Sequence, residues 1–408
     1  MTIMKIIQEG GVTSALGYVA AGVKAGIKAS GKLDMAVIYS QAPAVAAGAF
    51  TRNAVRAAPV QVSEAHLKDC KVRAVVINSG NANACTGEAG IHNARTMCEV
   101  VANGLSLATD EVAVASTGII GVPLPMDKII AGATAALDQL SRDGDNATQA
   151  IMTTDLTKKH IAVEVMINGH IVTIGGIAKG SGMIHPNMGT MLGFITTDVA
   201  IDPFLLQKTF LESVDESYNM VSVDGDTSTN DSAIILANGL AGNAPLVSEQ
   251  DTDFETFRAA LRFVNQTLAM KIAEDGEGAT KLIETRVYNA KTLSDARKVA
   301  KSVIGSSLVK TAIFGGDANW GRILCAVGYS AADLLVDQIE IFVKGGDASV
   351  QIVAHGAGIA FDESLLATIF SEKKVEIEIH LHNGDQHAVA WGCDLSYDYI
   401  KINADYRT

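Results

Sequence analysis

The stretch Lys179-Gly-Ser-Gly-Met-Ile-His-Pro-Asn-Met-Gly-Thr-Met-Leu192 is the densest unusual segment of the chain. It lies between two strand patterns. Upstream, Ile161–Ile167 and His170–Ile174 flank Asn168-Gly169, a dipeptide that favours the left-handed backbone of a tight hairpin turn. Downstream, Met191–Thr196 reads as a strand. The segment is therefore a glycine-rich crossing loop that feeds a buried element. Lys179, Ser181 and Thr190 are its candidates for chemistry. It lacks the G-x-x-x-x-G-K-[ST] order of a phosphate-cradling loop, as does Gly276–Lys281. Gly315–Gly321 lacks the spacing of a dinucleotide fingerprint.

Outward from this loop, strands are expected at Met35–Tyr39, Val72–Asn78, Val112–Ser116, Ser232–Ala237, Leu282–Val287, Val309–Phe314, Gln338–Val343 and Val350–Val353. Lys374–His382 and Gln386–Ala390 flank a second Asn-Gly, Asn383-Gly384, which reads as another hairpin. Helical periodicity marks Glu88–Asn103, Pro125–Leu140, Pro203–Tyr218, Asp253–Glu274, Ser294–Ile304 and Asp362–Ile369. Asp202 before Pro203 is a helix start, and Ser294 is read as the cap of its helix. Asn243–Asp253 reads as a surface loop. Such a mixture implies an α+β fold, a layered α/β sandwich with mixed and antiparallel sheets.

The composition fits a close-packed enzyme-sized chain. Its 408 residues are 48% hydrophobic and 19% charged, which excludes a disordered chain. The 38 glycines against 5% aromatics imply close backbone approaches. The net charge of −13 argues against a nucleic-acid binder. No apolar run reaches the roughly eighteen residues of a membrane span. Met1–Lys5 lacks a signal-peptide core, so a cytoplasmic protein without membrane partners is expected. Residues 1–189 carry a net +1 and residues 190–408 a net −14.

Five cysteines with no short spacing suit a reducing compartment and no zinc site. Cys85 and Cys98 read as buried structural thiols. His380 and His382 alternate along a strand, so both rings should share one face, read as solvated rather than as a ligand pair. Asp224–Asp231 is rich in Asp and hydroxyls, but Ile235 stands where a calcium loop needs its glutamate. It reads as a structural turn near the site.

The order of motifs carries a resemblance. Phe50–Asn53, Asn78–Gly87, Ala115–Gly121, Met152–Asp155, Lys179–Leu192, Asp224–Asp231, Glu274–Lys281, Gly315–Arg322 and the tail Asn403–Thr408 resemble the ornithine acetyltransferase family, over essentially the whole chain. The family comprises glutamate N-acetyltransferases of arginine biosynthesis. The resemblance implies self-cleavage between Gly189 and Thr190 into an α chain, 1–189, and a β chain, 190–408. A C-terminal α/β region would begin near residue 280, and the cut need not be a domain boundary. Many members carry alanine where this chain has Gly189 and His185. His185 raises the question of whether an imidazole alters the pH dependence of cleavage.

The chemistry implied is coherent. The Thr190 hydroxyl attacks the Gly189 carbonyl, and hydrolysis of the ester frees an α-amine on Thr190. An α-amine titrates near pH 8, about 7.7–8.0 in model peptides, so it serves as the base for its own hydroxyl. Acetyl then passes from N2-acetyl-L-ornithine to Thr190 and on to L-glutamate. By the same resemblance the oxyanion hole is Thr117 and Gly118. Substrate contacts are Thr153, Lys179, Thr190, Glu277, Asn403 and Thr408, with Thr153 preferred over Thr154 by its spacing to Lys179.

The resemblance implies no cofactor and no metal. Bifunctional members use acetyl-CoA as a further donor, and α and β chains assemble as a heterotetramer. Two other readings remain at the sequence level. One is an amidase or aminopeptidase of related self-processing architecture. The other is an unprocessed binding protein, against which the intact Lys179, Thr190, Thr117 and Gly118 argue.

Overall fold

The computed structural model describes residues 4–185 and 191–405, so the expected site residues Gly189, Thr190 and Thr408 lie outside the described residues. Three sheets organise the molecule. A six-stranded sheet runs Lys5–Ile7, Lys159–Ile167, His170–Lys179, Leu192–Thr197, Ser232–Ala237 and Val45–Phe50. All neighbours are antiparallel except Leu192–Thr197 with Ser232–Ala237. A four-stranded sheet runs Tyr18–Val23, Met35–Ser40, Ala74–Asn81 and Val112–Ile119, with only the last pair parallel.

Period-two alternation explains why these sheets stack. In Ser232–Ala237, Ile234 and Leu236 enter one core, while Ala233, Ile235 and Ala237 enter another. In the four-stranded sheet, Ala36, Ile38, Val75, Ile77, Ala113 and Ala115 meet Leu192, Phe194, Ile234 and Leu236 in one core between the sheets. The opposite face of the small sheet, with Val37, Val76 and Val114, packs on helices Ala58–His66, Gly87–Leu105 and Met126–Leu137. The outer face of the six-stranded sheet is covered by Pro203–Asp215 and Phe254–Glu274. The result is a helix–sheet–sheet–helix sandwich, the layered α/β class expected from the residues.

A seven-stranded sheet adjoins it, in the order Val221–Ser222, Gln386–Cys393, Leu282–Ala290, Lys374–His380, Glu340–Gly345, Ala348–Ala354 and Ala357–Gly358. Here the second Asn-Gly misleads. Lys374–His380 and Gln386–Cys393 do not pair; both bond to Leu282–Ala290, one parallel and one antiparallel. Leu381 N–H donates to Tyr288 O at 3.0 Å and Asn383 N–H to Asn289 O at 2.8 Å. The chain thus crosses over the end of the central strand instead of folding back on itself. His382 falls beyond the strand, yet its ring stacks on His380 at 5.8 Å. His380 meets Glu378 at 2.7 Å and His382 meets Glu340 at 2.9 Å.

Other local expectations are corrected by packing. Val309–Phe314 is not a strand; it lies in helix Ser307–Phe314. Val309, Ala312 and Ile313 are buried at helical spacing, and the Ser306 side chain accepts from Val309 N–H. A short apolar run cannot separate the two states by itself. The helix Leu293–Gly305 is capped by Thr292, whose hydroxyl accepts from Asp295 N–H at 3.1 Å; Ser294 is already inside it. Asp202 does cap its helix, accepting from Phe204 and Leu205 N–H. Cys98 is buried, but Cys85 is exposed, in a turn of positive φ before helix Gly87–Leu105. Among the described residues no helix is long and apolar enough to cross a membrane.

Candidate active site

The strand His170–Lys179 ends at Lys179 beside the C-terminal end of Val112–Ile119, because both sheets face the same core there. Thr117 and Gly118 are not beyond that strand, as the sequence suggests, but within it. Gly118 has φ +130, and a Cβ there would lie 2.4 Å from the Gly80 carbonyl carbon, so only glycine fits. The Lys179 ammonium donates to the Thr117 hydroxyl at 3.4 Å. A hydroxyl that accepts from an ammonium keeps its own proton to donate elsewhere.

These residues line one cavity of about 120 Å³, together with Thr153, Thr154, Glu277 and Asn403. Glu277 N–H donates to Ser181 O at 2.9 Å, which ties it to the glycine-rich loop. A Cβ on Gly182 would lie 2.2 Å from Glu277 Oε2, so glycine at 182 admits the carboxylate. Asn403 lies in the C-terminal helix Tyr397–Asp405 and donates through Nδ2 to Glu277 Oε2 at 2.9 Å. The tail is therefore ordered at least through this contact. Thr153 and Thr154 both face the cavity, and Thr153 N–H is held by Asp155 Oδ2 at 2.9 Å.

A buried ionic network fixes the loops around the cavity. Lys159, fully buried, reaches Asp155 at 2.7 Å and Asp275 at 2.5 Å. Asp155 also accepts from Gly180 N–H at 2.7 Å. Asp275 accepts from Leu156 N–H at 3.0 Å, and its backbone carbonyl accepts from the Ser181 hydroxyl at 2.6 Å. Burial alone would raise the Asp155 pKa, but Lys179 and Lys159 hold the carboxyl well below the usual range. Burial lowers the Lys179 pKa, helped by Lys159 and opposed by Asp155, Asp231 and Glu277.

The segment Asp224–Asp231, read from sequence as a structural turn near the site, braces it on its other side. Asp224 accepts from Met183 and Ile184 N–H at 2.6 and 2.8 Å. Thr227 donates to His185 O at 2.9 Å. Asn230 donates to Ala82 O at 2.6 Å and Ser116 O at 2.9 Å, and with Ser228 it lines the cavity. Sequence reasoning did not assign Ser228 and Asn230 to the cavity wall; the density of short polar side chains was the available signal. Burial raises the Asp231 pKa well above its ordinary value.

His185 accepts or donates at Nδ1 with the Ser222 hydroxyl at 2.9 Å. Burial, with Lys301 nearby, lowers its pKa to about 4. The imidazole is therefore neutral at pH 7 and does not titrate between pH 6 and 8.

Chemically, the cavity wall brings together a cation, a carboxylate, hydroxyls and the backbone at Gly118, which suits a zwitterionic amino acid. The ArgJ family model matches residues 19–408. The chain is 51% identical over all of its length and all of the length of arginine biosynthesis bifunctional protein ArgJ 1 of Clostridium acetobutylicum. It is 52% identical to the bifunctional ArgJ of Caldanaerobacter subterraneus, covering 98% of this chain and 100% of that one. The crystal structure of bifunctional ArgJ from Bacillus halodurans aligns with 43% identity and a TM-score of 0.49, over 52% of this chain and 98% of that one.

Proposed function

Because the chain belongs to the ArgJ family, we propose that it moves acetyl from N2-acetyl-L-ornithine to L-glutamate in arginine biosynthesis, through an ester on Thr190. The observation that carries this is the convergence of Thr117, Gly118, Thr153, Lys179, Glu277 and Asn403 on one cavity, from both sides of the Gly189–Thr190 bond.

The chain first cuts itself. Thr190 Oγ bonds to the Gly189 carbonyl carbon, the peptide C–N bond breaks, and water then hydrolyses the ester. Gly189 keeps the carboxylate and Thr190 the amine. The amine then takes the hydroxyl proton as Oγ attacks the acetamide carbon of the donor. Collapse expels ornithine, whose nitrogen takes that proton. Glutamate's uncharged α-amine attacks the acetyl ester, its surplus proton passes through the Thr190 amine to Oγ, and the C–Oγ bond breaks, leaving N-acetylglutamate and free Thr190. The Thr117 hydroxyl and Gly118 N–H stabilise the oxyanion in each tetrahedral intermediate. Lys179 binds a substrate carboxylate and Glu277 a substrate ammonium, with Thr153, Asn403 and Thr408 completing the contacts.

Acetyl-CoA serves as a second donor to glutamate, in line with the word bifunctional in the relatives' names. Its thiol leaves where ornithine leaves in the exchange. The enzyme requires no cofactor and works in the cytoplasm. The α and β chains remain together because they interleave: the six-stranded sheet draws Val45–Phe50 and His170–Lys179 from one and Leu192–Thr197 and Ser232–Ala237 from the other. Pairs of them form a heterotetramer. Assaying glutamate acetylation with each donor separately tests this reading. Activity with both is expected, whereas rapid acetylornithine hydrolysis without a glutamate requirement would make the protein an amidase.

A further inference from the structure

The cavity holding Lys179 and Glu277, about 120 Å³, accommodates an amino acid but not a nucleotide. Drug-sized ligands occupy clefts of about 300–1,000 Å³. A second cavity of about 610 Å³ lies alongside, and the two share Thr153. Its wall carries Lys24, Lys28, Lys32 and Lys158, in a chain whose net charge is −13. Leu33, Met152 and Leu156 supply apolar surface, and Leu156 is 83% exposed.

The lysine loop is built rather than loose. It connects Tyr18–Val23 to Met35–Ser40, and the buried Asp34 carboxylate ties it together. Asp34 accepts from Ala25 and Ile27 N–H, both at 2.6 Å, and from Lys28 N–H at 2.9 Å. Lys28 Nζ donates to Leu33 O and Met152 O, both at 2.7 Å, so it links this loop to the segment carrying Thr153. Lys128 Nζ donates to Gly26 O at 2.8 Å. Lys158 pairs with Asp145. Lys24 and Lys32 are exposed and make no ion pair among the described residues, which leaves two cations at the mouth of a preformed cleft. Burial lowers the Lys28 pKa to about 8, opposed by Asp34 and helped by Lys179 and Lys32.

We propose that this cleft binds the phosphorylated nucleotide end of acetyl-CoA, with Lys24 and Lys32 neutralising its phosphates. The thioester arm runs past Thr153 into the small cavity. This rests on the reading of acetyl-CoA as second donor. It separates the two donors in space: the ornithine exchange uses the small cavity alone, and the thioester donor uses both.

The test is the double variant Lys24→Glu with Lys32→Glu, assayed with each donor. KM for acetyl-CoA should rise about tenfold or more, since two charge-assisted phosphate contacts become repulsive. The exchange from N2-acetylornithine should keep its kcat and KM. Calorimetry with adenosine 3′,5′-bisphosphate should show binding to the wild type that weakens with salt and is lost in the variant. An unchanged KM for acetyl-CoA, or equal loss with both donors, would overturn the site. A wild type that exchanges acetyl with ornithine but neither uses acetyl-CoA nor binds the nucleotide also overturns it, and leaves the exchange reaction standing.

Discussion

Two groups of charges, one around the catalytic cavity and one on the C-terminal sheet, differ in what they hold. Lys159 and Asp155 have fully buried side chains, and Asp275 is 6% exposed. The two carboxylates also accept from backbone N–H groups, Asp155 from Thr153 and Gly180 and Asp275 from Leu156, each beside a cavity residue or in the loop leading to one, and Lys159 donates to Thr157 O at 3.3 Å. On the seven-stranded sheet, Lys344 pairs with Glu378, and Arg286 with Glu376, at partly exposed positions. These pairs mostly join side chain to side chain in reach of water. Removing one partner of a buried pair leaves an uncompensated charge and costs about 3–5 kcal/mol, whereas an exposed pair contributes roughly 0–1 kcal/mol. The difference teaches that the buried charges beside the cavity, unlike these sheet pairs, also fix the backbone of the loops around the chemistry.

The comparison can be broken from its catalytic end first. Thr190→Ala should remain one uncleaved chain and lose turnover by about 10⁴-fold or more, measured by gel mobility and acetyl transfer. Near-normal transfer would remove the nucleophile from this site. Asp155→Ala should cost about 3–5 kcal/mol in urea unfolding and weaken substrate binding through Lys179 and Thr153. The Asp155 carboxyl titrates below its ordinary range. Its contribution is therefore complete above its unfolded value of about 4 and is lost as pH falls through the folded value. A change in the other direction would mean the network is strained rather than stabilising.

Thr117→Ala should lower kcat about 100-fold to 1,000-fold with little change in stability. A change confined to KM would assign the hydroxyl to binding instead. At the small end, Lys344→Ala should cost about 1 kcal/mol or less and leave kcat untouched. A larger loss would erase the contrast between the two regions.

Much of this was legible in the residues. The hairpin of Lys159–Ile167 and His170–Lys179 declares itself by its Asn168-Gly169 turn, and Asp202-Pro203 declares a helix start. The motifs carrying the expected site residues were readable in order along the chain, and those within the described residues line one cavity. What stayed hidden depended on tertiary context. The Tyr18–Val23 and Val45–Phe50 strands are built largely from alanine, glycine and valine around one aromatic each, so their strand preference is set by the neighbouring sheet. Val309–Phe314 needed the Ser306 cap and its buried face to become helical. The Asn383-Gly384 turn could not reveal that residues 282–290 would insert between its flanking strands. Nor could spacing show that Asn230 and Ser228 would close the cavity, or that burial would silence His185.

The most direct test is denaturing mass spectrometry of the purified protein before and after incubation with N2-acetylornithine. Two chains should appear, one ending at Gly189 and one beginning at Thr190. The second should gain a single acetyl group on Thr190 that glutamate removes. A full-length chain that never cleaves, or an acetyl group lodged on another residue, would contradict the account.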